Sequence, residues 1–300
     1  MNFITRMISW YKRPKSKTAD FYESLVLIIP LVFLIRTIGF GLYQVPTGSM
    51  ETTMLVGERF FADKFTILFS PAKHGEVISF NDPNFGYSDN TLTFWWQMYV
   101  WGPSNWTKRV IGEPGDHIQG AIEDGKPVVY RNGKKLDEPY LNSYPLIATI
   151  NPERSRQLIF KSYALNVPLD KQPWYRMSAF ETMNGRKLAG SEAMLYPNTP
   201  VIYHRGMPDE RCVDIFDVHL GSDEYWAMGD NRQGSYDSRF WGPLKKHLIH
   251  GKIVLCLYSI DIDETWGMFE MLHIFPFDLL LHPIDFWTRV RWSRCLHLVH

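Results

Sequence analysis

Three stretches of the chain carry side chains whose types and spacing could do chemistry. The first is VPTGSM, from Val45 to Met50, in which Gly48 precedes the small hydroxyl residue Ser49 directly after an apolar run. A turn or a helix cap is the ordinary explanation of such a serine. A nucleophilic serine needs a base, and the sequence shows neither GxSxG nor a His and Asp pair in a triad context. A lysine is the other established partner of a reactive serine.

Lys108 is the candidate base. It opens the stretch KRVIGEPGDHI, which begins as a strand and ends in a Pro-Gly turn. A lysine accepts a proton only when neutral, and at its usual pKa of about 10.4 only about one in a few thousand is neutral at pH 7. Burial lowers that pKa because it disfavours the charged form. The chemistry therefore predicts a buried strand lysine, although a strand lysine taken alone usually faces solvent.

The third stretch is the polar loop MGDNRQGSYDSRFWG, residues 228–242. Carboxylates, arginines and hydroxyls at this density form hydrogen-bonded networks that hold a loop in one shape. We expect the loop to bring a serine hydroxyl to the buried lysine. Its polar side chains are Asp230, Asn231, Arg232, Ser235, Asp237, Ser238 and Arg239.

An apolar segment before these stretches predicts a membrane anchor. Residues 21–43 are long enough to cross a hydrocarbon core of about 30 Å. Glu23 and Arg36 lie near its two ends, where charged side chains reach polar surroundings. Residues 1–20 hold five basic side chains against one acid, which predicts a cytoplasmic N-terminus. A cleavable signal peptide is the alternative, and the absence of a small-x-small site after the apolar run disfavours it.

The rest of the chain has the pattern of a β protein. Short runs of valine, isoleucine and aromatic residues alternate with turn signals, of which Asn132-Gly133 is the clearest. We predict a mainly β fold: a transmembrane helix followed by an extramembrane antiparallel β-sheet domain at 44–300. The weaker strand signals at about 131–222 predict a smaller inserted subdomain of β or mixed structure.

Two aromatic stretches are too short or too interrupted to span a bilayer. One is Thr93–Trp101, which we place on the membrane-facing side of the site. The other, Trp266–Trp287, dominates the C-terminal segment 263–300. Aromatic side chains suit both a protein core and a membrane interface, and the sequence leaves both readings open.

Composition argues against several other classes of protein. Lysine plus arginine equals aspartate plus glutamate at 32 each, so no nucleic-acid partner is indicated. Cys212, Cys256 and Cys295 are too few and too widely spaced for a disulfide framework or a zinc site, although one pair could bond. His247 and His250 are interpreted as a solvated surface pair, and we expect neither a metal nor a cofactor.

The three motifs together resemble a known family. VPTGSMETTM, TKRVIGEPGDHI and GDNRQGSYDSRFWG, in this order after a membrane span, are similar to the signature boxes of the type I signal peptidases, or leader peptidases. The resemblance implies a serine endopeptidase in which Ser49 is the nucleophile and Lys108 the general base. It also implies that the Thr47 side chain and the Ser49 backbone N–H form the oxyanion hole.

The resemblance assigns supporting roles to the polar loop. Ser235 is expected to orient the lysine amine, Asp237 and Arg239 to form the supporting pair, and Asp230 to assist them. Met50 is expected to pack rather than to react. Two positions depart from the family pattern: Thr47 stands where many members carry serine, and the segment 51–53 lacks the usual proline.

The implied activity is the removal of N-terminal signal peptides from secreted preproteins through an acyl-enzyme. The implied partners are small-x-small cleavage sites and membrane lipid, and we expect a single-pass monomer of the inner (cytoplasmic) membrane. Its catalytic domain would lie on the extracytoplasmic, or periplasmic, side. Two alternatives stay open: a peptidase dedicated to one pilin or transfer protein, and a non-catalytic anchored β binding domain.

Overall fold

The computed structural model describes most residues between 16 and 142 and all residues between 211 and 260. The basic segment up to residue 15 lies outside the described residues, as do most of the insert and most of 263–300. The described residues are 16–45, 47–55, 57–142, 148–150, 158–160, 202–203, 211–260, 284, 287–288 and 290–299.

The described part of the chain begins with an apolar helix. Helix α1 spans Lys17–Leu34, and the side chain of Ser16 caps it by accepting a hydrogen bond from the N–H of Ala19. A π-helical turn, Ile35–Gly39, continues it. Together they form 23 residues with a mean hydropathy of 1.9, long and apolar enough to cross a membrane.

The bounds of this helix differ from the predicted 21–43. The helix begins four residues earlier, because the capping side chain of Ser16 lies upstream of the apolar run. It ends at Gly39, because Phe40–Gln44 pair along their whole length with another strand. Hydropathy could not show this end, since the apolar composition continues from the helix into the strand.

Strands make up most of the remaining described residues. Helix α2 spans Thr91–Tyr99, and the short helix α3 spans Ser238–Trp241. The strands are β1 (Phe40–Gln44), β2 (Glu58–Asp63), β3 (Val77–Asn81), β4 (Asn105–Gly112), β5 (His117–Glu123), β6 (Lys126–Arg131), β7 (Lys134–Lys135), β8 (Ala148–Ile150), β9 (Leu158–Phe160), β10 (Ile202–Tyr203), β11 (Arg211–Cys212), β12 (Phe216–His219), β13 (Glu224–Met228), β14 (Leu244–Lys245), β15 (Ile249–Ser259) and β16 (His297–Leu298).

The strands form one large and one small antiparallel sheet. The large sheet has eight strands in the order β1-β2-β15-β3-β4-β13-β14, with β16 paired to β15. The small sheet has the order β12-β5-β6-β7, and β8-β9 and β10-β11 are separate two-stranded pairs. The predicted fold class, a mainly antiparallel β domain behind an apolar helix, is confirmed. The small sheet begins with β5 at His117, before the predicted insert at 131, because β12 returns to pair with β5.

The large sheet is covered on both faces where β3 and β4 lie. All five residues of β3 are buried, and the last five of β4 are buried as well. The neighbouring residues Val77 and Ile78 point to opposite faces and pack in two different apolar clusters. A polar side chain in the middle of β4 is therefore held away from water.

Candidate active site

Ser49 lies in a tight turn that the polar loop holds in place. Residues Gly48–Met50 form one 3-10 turn shortly after β1. The backbone N–H of Asn231 donates to the carbonyl oxygen of Ser49 at 3.2 Å, and its side-chain amide donates to the carbonyl oxygen of Gly48 at 3.0 Å. Met50 is 2% exposed and packs in an apolar cluster. These contacts fix the turn from both sides.

Lys108 reaches Ser49 from the buried part of β4. Its Nζ lies 2.8 Å from Ser49 Oγ and 3.0 Å from the carbonyl oxygen of Thr107, and the residue is only 5% exposed. These distances are within hydrogen-bond reach. When the amine is neutral, its lone pair can accept the Ser49 hydroxyl proton while an N–H keeps the bond to Thr107.

Burial lowers the pKa of Lys108 from 10.5 to about 8. The carboxylates of Asp237 and Asp230 oppose this change, and the charge of Arg239 supports it. A pKa of about 8 leaves roughly one lysine in ten neutral at pH 7, against about one in a few thousand for an ordinary lysine. The environment of β4 therefore keeps a substantial fraction of Lys108 neutral at neutral pH.

Thr47 and a cavity lie on the open side of this pair. Thr47 Oγ1 is 3.5 Å from Ser49 Oγ, and the side chain is exposed. The cavity has a volume of about 430 Å³ and a mostly apolar wall. It lies between the end of β1 and the first half of β4. Its lining includes Tyr43, Val45, Thr47, Ser49, Met54, Trp106, Lys108 and Tyr236.

The predicted bond between Ser235 and Lys108 is not formed in this structure. Ser235 Oγ is buried and makes no hydrogen bond of ordinary geometry with a described residue, although it lies near enough to Asp237 to lower the pKa of that carboxyl. It packs against Gly229, where an added Cβ would lie 2.3 Å from Ser235 Oγ and 2.5 Å from the carbonyl oxygen of Ser49. The orienting role of Ser235 stays a prediction.

Asp237 and Arg239 form the core of the polar loop. Arg239 Nε and Nη2 each donate to the Asp237 carboxylate at 2.9 Å, and Arg239 Nη1 donates to Asp214 at 2.7 Å. The N–H of Gly229 also donates to Asp237, at 3.0 Å. Burial raises the pKa of Asp237, but the charge and hydrogen bonds of Arg239 lower it overall. The loop is thus held by a buried, fully ionised pair.

Asp230 belongs to a second buried pair. Arg109 Nε and Nη2 donate to its two carboxylate oxygens at 2.8 and 2.7 Å, and both side chains are 1% exposed. Thr53 donates a further hydrogen bond to Asp230, and the Arg109 guanidinium lies 4.0 Å from the centre of the Tyr140 ring. Thr53 lies in the segment 51–53 that departs from the family pattern, and it gives the polar loop an additional hydrogen-bond donor.

Sequence reasoning missed four residues of the site. Arg109 follows Lys108 in the second motif, but the sequence does not indicate that it pairs with Asp230. Asn231 was named only as one of the polar side chains of the loop, with no role of its own. Gly229 was included in the third motif and was given no role. Asp214 lies far from the loop in sequence, and no local pattern marks it.

His250 corrects one interpretation made from the sequence. It is not part of a solvated pair with His247, which is exposed. Its Nε2 donates to Asn105 Oδ1 at 2.9 Å, and its Nδ1 lies 3.2 Å from the Tyr43 hydroxyl. Burial lowers the pKa of His250 to about 3, so the ring is neutral at physiological pH. The cause is its place on β15, where the half-buried ring stacks on Tyr43 and lies 3.3 Å from Ser79 Oγ. Cys212, Cys256 and Cys295 are free thiols.

The fold, the apolar helix and the turn of Ser49 fit a class of protein: a membrane-anchored enzyme with a serine beside a buried lysine. Residues 18–258 match the family described as signal peptidase, peptidase S26. The match covers most of the chain, so the chain belongs to that family.

Named relatives agree with this assignment. The chain is 27% identical over 265 residues to signal peptidase I of Buchnera aphidicola subsp. Acyrthosiphon pisum, covering 85% of this chain and 80% of that protein. It is 26% identical over 225 residues to signal peptidase I of Bacillus amyloliquefaciens, covering 75% and 79%. It is 24% identical over 278 residues to signal peptidase I of Haemophilus influenzae, covering 84% and 73%. The predicted family and the predicted function, a membrane signal peptidase of serine type, are confirmed.

Proposed function

We propose that Ser49 and Lys108 form the catalytic dyad of this peptidase. The observation that carries the proposal is the 2.8 Å distance from Lys108 Nζ to Ser49 Oγ, made by a lysine that is 5% exposed. A base must lie within hydrogen-bond reach of the proton that it takes, and its pKa must be near the working pH. Lys108 meets both conditions.

The dyad cleaves an amide bond in two steps. Neutral Lys108 takes the Ser49 proton as Ser49 Oγ attacks the scissile carbonyl carbon. The ammonium then protonates the leaving nitrogen as the carbon–nitrogen bond breaks, which leaves an acyl-enzyme and a neutral lysine. Water enters, and Lys108 takes its proton as the hydroxide attacks the acyl carbon. The bond to Ser49 Oγ then breaks, Oγ takes the proton back from Lys108, and the new carboxyl end of the signal peptide is released.

Thr47 stabilises the oxyanion together with the backbone N–H of Ser49. The support for this role is its place two residues before the nucleophile, with Oγ1 at 3.5 Å from Ser49 Oγ and exposed to the cavity side. Donors placed where negative charge develops lower the barrier, typically by about 3 to 4 kcal/mol for one side-chain donor.

The substrates are secretory preproteins with small-x-small cleavage sites. The mostly apolar cavity of about 430 Å³ suits small side chains. β3 pairs with β4 along Asn105–Arg109, but β13 pairs with β4 only from Arg109 onwards. Among the described residues, the edge of Asn105–Lys108 that faces away from β3 therefore has no partner strand. An extended substrate can add to that edge by main-chain hydrogen bonds.

The location of the site fits a substrate that lies in the membrane. The helical span ends at Gly39, only about ten residues before Ser49. We propose that the N-terminus lies in the cytoplasm and that the catalytic domain lies on the extracytoplasmic side of the inner membrane, as a monomer. The basic residues before the span support this orientation.

Cleavage of a preprotein by purified full-length variants tests the dyad. We expect Ser49→Ala and Lys108→Ala each to lose more than about 10³ of the rate, since each removes an essential partner. Lys126→Ala, an exposed lysine on β6, should cut at the normal rate. Normal cleavage by either dyad variant would contradict the mechanism. Separately, digestion of the domain by protease added to the cytoplasmic face of vesicles would contradict the orientation.

A further inference from the structure

A second cavity, distinct from the catalytic one, lies where the helical span meets the β domain. Its volume is about 470 Å³. Its wall contains Arg36, from the π-helical turn, and Lys64, directly after β2. The other polar groups that line it are Thr37, Asn81, Gln97, Asn105, His247 and His250.

The two cations of this cavity have no counter-ion among the residues that the structure describes. Neither Arg36 nor Lys64 makes an ion pair with any residue in the part of the chain that the structure describes. No aspartate or glutamate lines the cavity. The nearby carboxylate of Asp63 accepts hydrogen bonds from the backbone N–H groups of Phe65 and Thr66 instead. Burial lowers the pKa of Lys64, and the charge of Arg36 lowers it further.

Arg36 is exposed and Lys64 is half-buried, and the two charges repel each other; a bound anion would replace this repulsion with attraction. Neutral groups on the wall can add hydrogen bonds. His250 is neutral and donates to Asn105 Oδ1, so the Asn105 amide N–H groups stay available to the cavity. The arrangement therefore suits a phosphate group.

The rim of the same cavity is apolar and exposed. Trp101, two residues after α2, is 80% exposed, and Leu68, in the turn on the other side, is 56% exposed; both line the cavity. No residue of α2 is buried, so this aromatic stretch is not a core helix. Phe69, beyond the turn that lines the other side, is 75% exposed. Tryptophan and other large apolar side chains around a polar pocket are the composition of a membrane interface.

We propose that this cavity binds the phosphate headgroup of an anionic phospholipid of the bilayer. The phosphate would lie between Arg36 and Lys64, and the acyl chains would run along the apolar rim and the exposed face of α1. The site would hold the β domain at a fixed height against the membrane. The proposal depends on the membrane anchoring of α1 and is independent of the Ser49 and Lys108 mechanism.

Native mass spectrometry of the full-length protein in detergent tests the proposal directly. The delipidated protein is mixed with equal amounts of phosphatidylglycerol and phosphatidylcholine that carry the same acyl chains. We expect bound phosphatidylglycerol to exceed bound phosphatidylcholine by at least tenfold. The double variant Arg36→Gln with Lys64→Gln should weaken phosphatidylglycerol binding about 25-fold. Each basic residue that is removed should lower the affinity roughly fivefold, and the two effects multiply.

Two further double variants serve as controls for this test. The matched control, Lys126→Gln with Lys134→Gln, removes two exposed lysines of the small sheet and should not change lipid binding. The charge-preserving pair Arg36→Lys with Lys64→Arg should keep it, which separates loss of charge from loss of folding. Equal binding of the two lipids, or full binding by the Gln pair, would overturn the proposal. Displacement of the lipid by millimolar inorganic phosphate would instead assign the site to free phosphate.

Discussion

Replacing Lys108 with methionine should inactivate the protein and also make it more stable. Burial of the charged amine moves the pKa of Lys108 from 10.5 to about 8. At 1.36 kcal/mol for each pH unit, the folded chain loses about 3 kcal/mol of stability below pH 8 by holding this lysine. Methionine has a similar length and no charge, so it removes that cost.

The expected gain is smaller than the full cost, because Lys108 also makes a useful hydrogen bond. Its Nζ lies 3.0 Å from the carbonyl oxygen of Thr107. Loss of that bond offsets about 1 kcal/mol. We therefore expect Lys108→Met to raise the free energy of unfolding by about 2 kcal/mol at pH 7.

The pH dependence of this gain follows from the sign of the pKa change. Below about pH 8 both the folded and the unfolded chain carry the lysine proton, so the cost in the wild-type protein is complete. As the pH rises from 8 towards 10.5, the folded chain is already neutral and the unfolded chain remains charged, so the cost fades. The gain from Lys108→Met should therefore be constant below pH 8 and disappear by about pH 10.

Urea unfolding of the full-length protein in detergent, followed by tryptophan fluorescence between pH 6 and 10, measures the gain. Lys126→Met, at an exposed position on β6, is the control and should change stability by less than about 0.5 kcal/mol. If Lys108→Met is less stable than the wild-type protein at pH 7, or if its gain does not depend on pH, Lys108 does not have a lowered pKa. The reasoning about the base would then fail.

Three further substitutions test the surroundings of the dyad. Thr47→Val should lower kcat about 10²-fold to 10³-fold in preprotein cleavage with little change in urea unfolding, because it removes only a hydroxyl donor; a normal kcat would exclude Thr47 from the oxyanion hole. Gly229→Ala should abolish cleavage and cost about 1 to 3 kcal/mol in urea unfolding, because its methyl group would lie 2.5 Å from the carbonyl oxygen of Ser49; wild-type activity and stability would show that the contact is not needed. Arg109→Met should cost about 3 to 5 kcal/mol in the same unfolding assay by leaving Asp230 buried and unpaired, and adding Asp230→Leu should recover most of that loss; no recovery would mean that the pair is not what the substitution breaks.

The sequence was sufficient to predict that Ser49 and Lys108 lie together, because both residues lie in motifs of recognisable order. Ser49 and Lys108 are 59 positions apart, yet the structure brings them to 2.8 Å. The resemblance to the family motifs predicts that the two residues are close in space, whereas neither residue alone predicts it. Burial of Lys108 was predicted from its chemistry, because burial is what lowers the pKa of a lysine enough for it to act as a base, and in the structure Lys108 is 5% exposed.

Other features needed the three-dimensional structure. Asp214 pairs with Arg239 from 25 positions away, and sequence patterns do not assign a partner to a buried arginine. The change from helix to strand after Gly39 could not be predicted from the sequence, because hydropathy does not distinguish an apolar helix from an apolar strand. The two cations of the second cavity come from segments that only the pairing of β1 with β2 brings together.

The pH dependence of kcat/KM for preprotein cleavage tests the central claim most directly, because it reports the base of the free enzyme. His250, which is close to the catalytic cavity, has a pKa of about 3 and does not titrate in the range that matters. We predict that kcat/KM rises about tenfold for each pH unit up to about pH 8 and is constant above it, as Lys108 loses its proton. A kcat/KM that does not change between pH 6 and 9 would contradict the claim that neutral Lys108 activates Ser49.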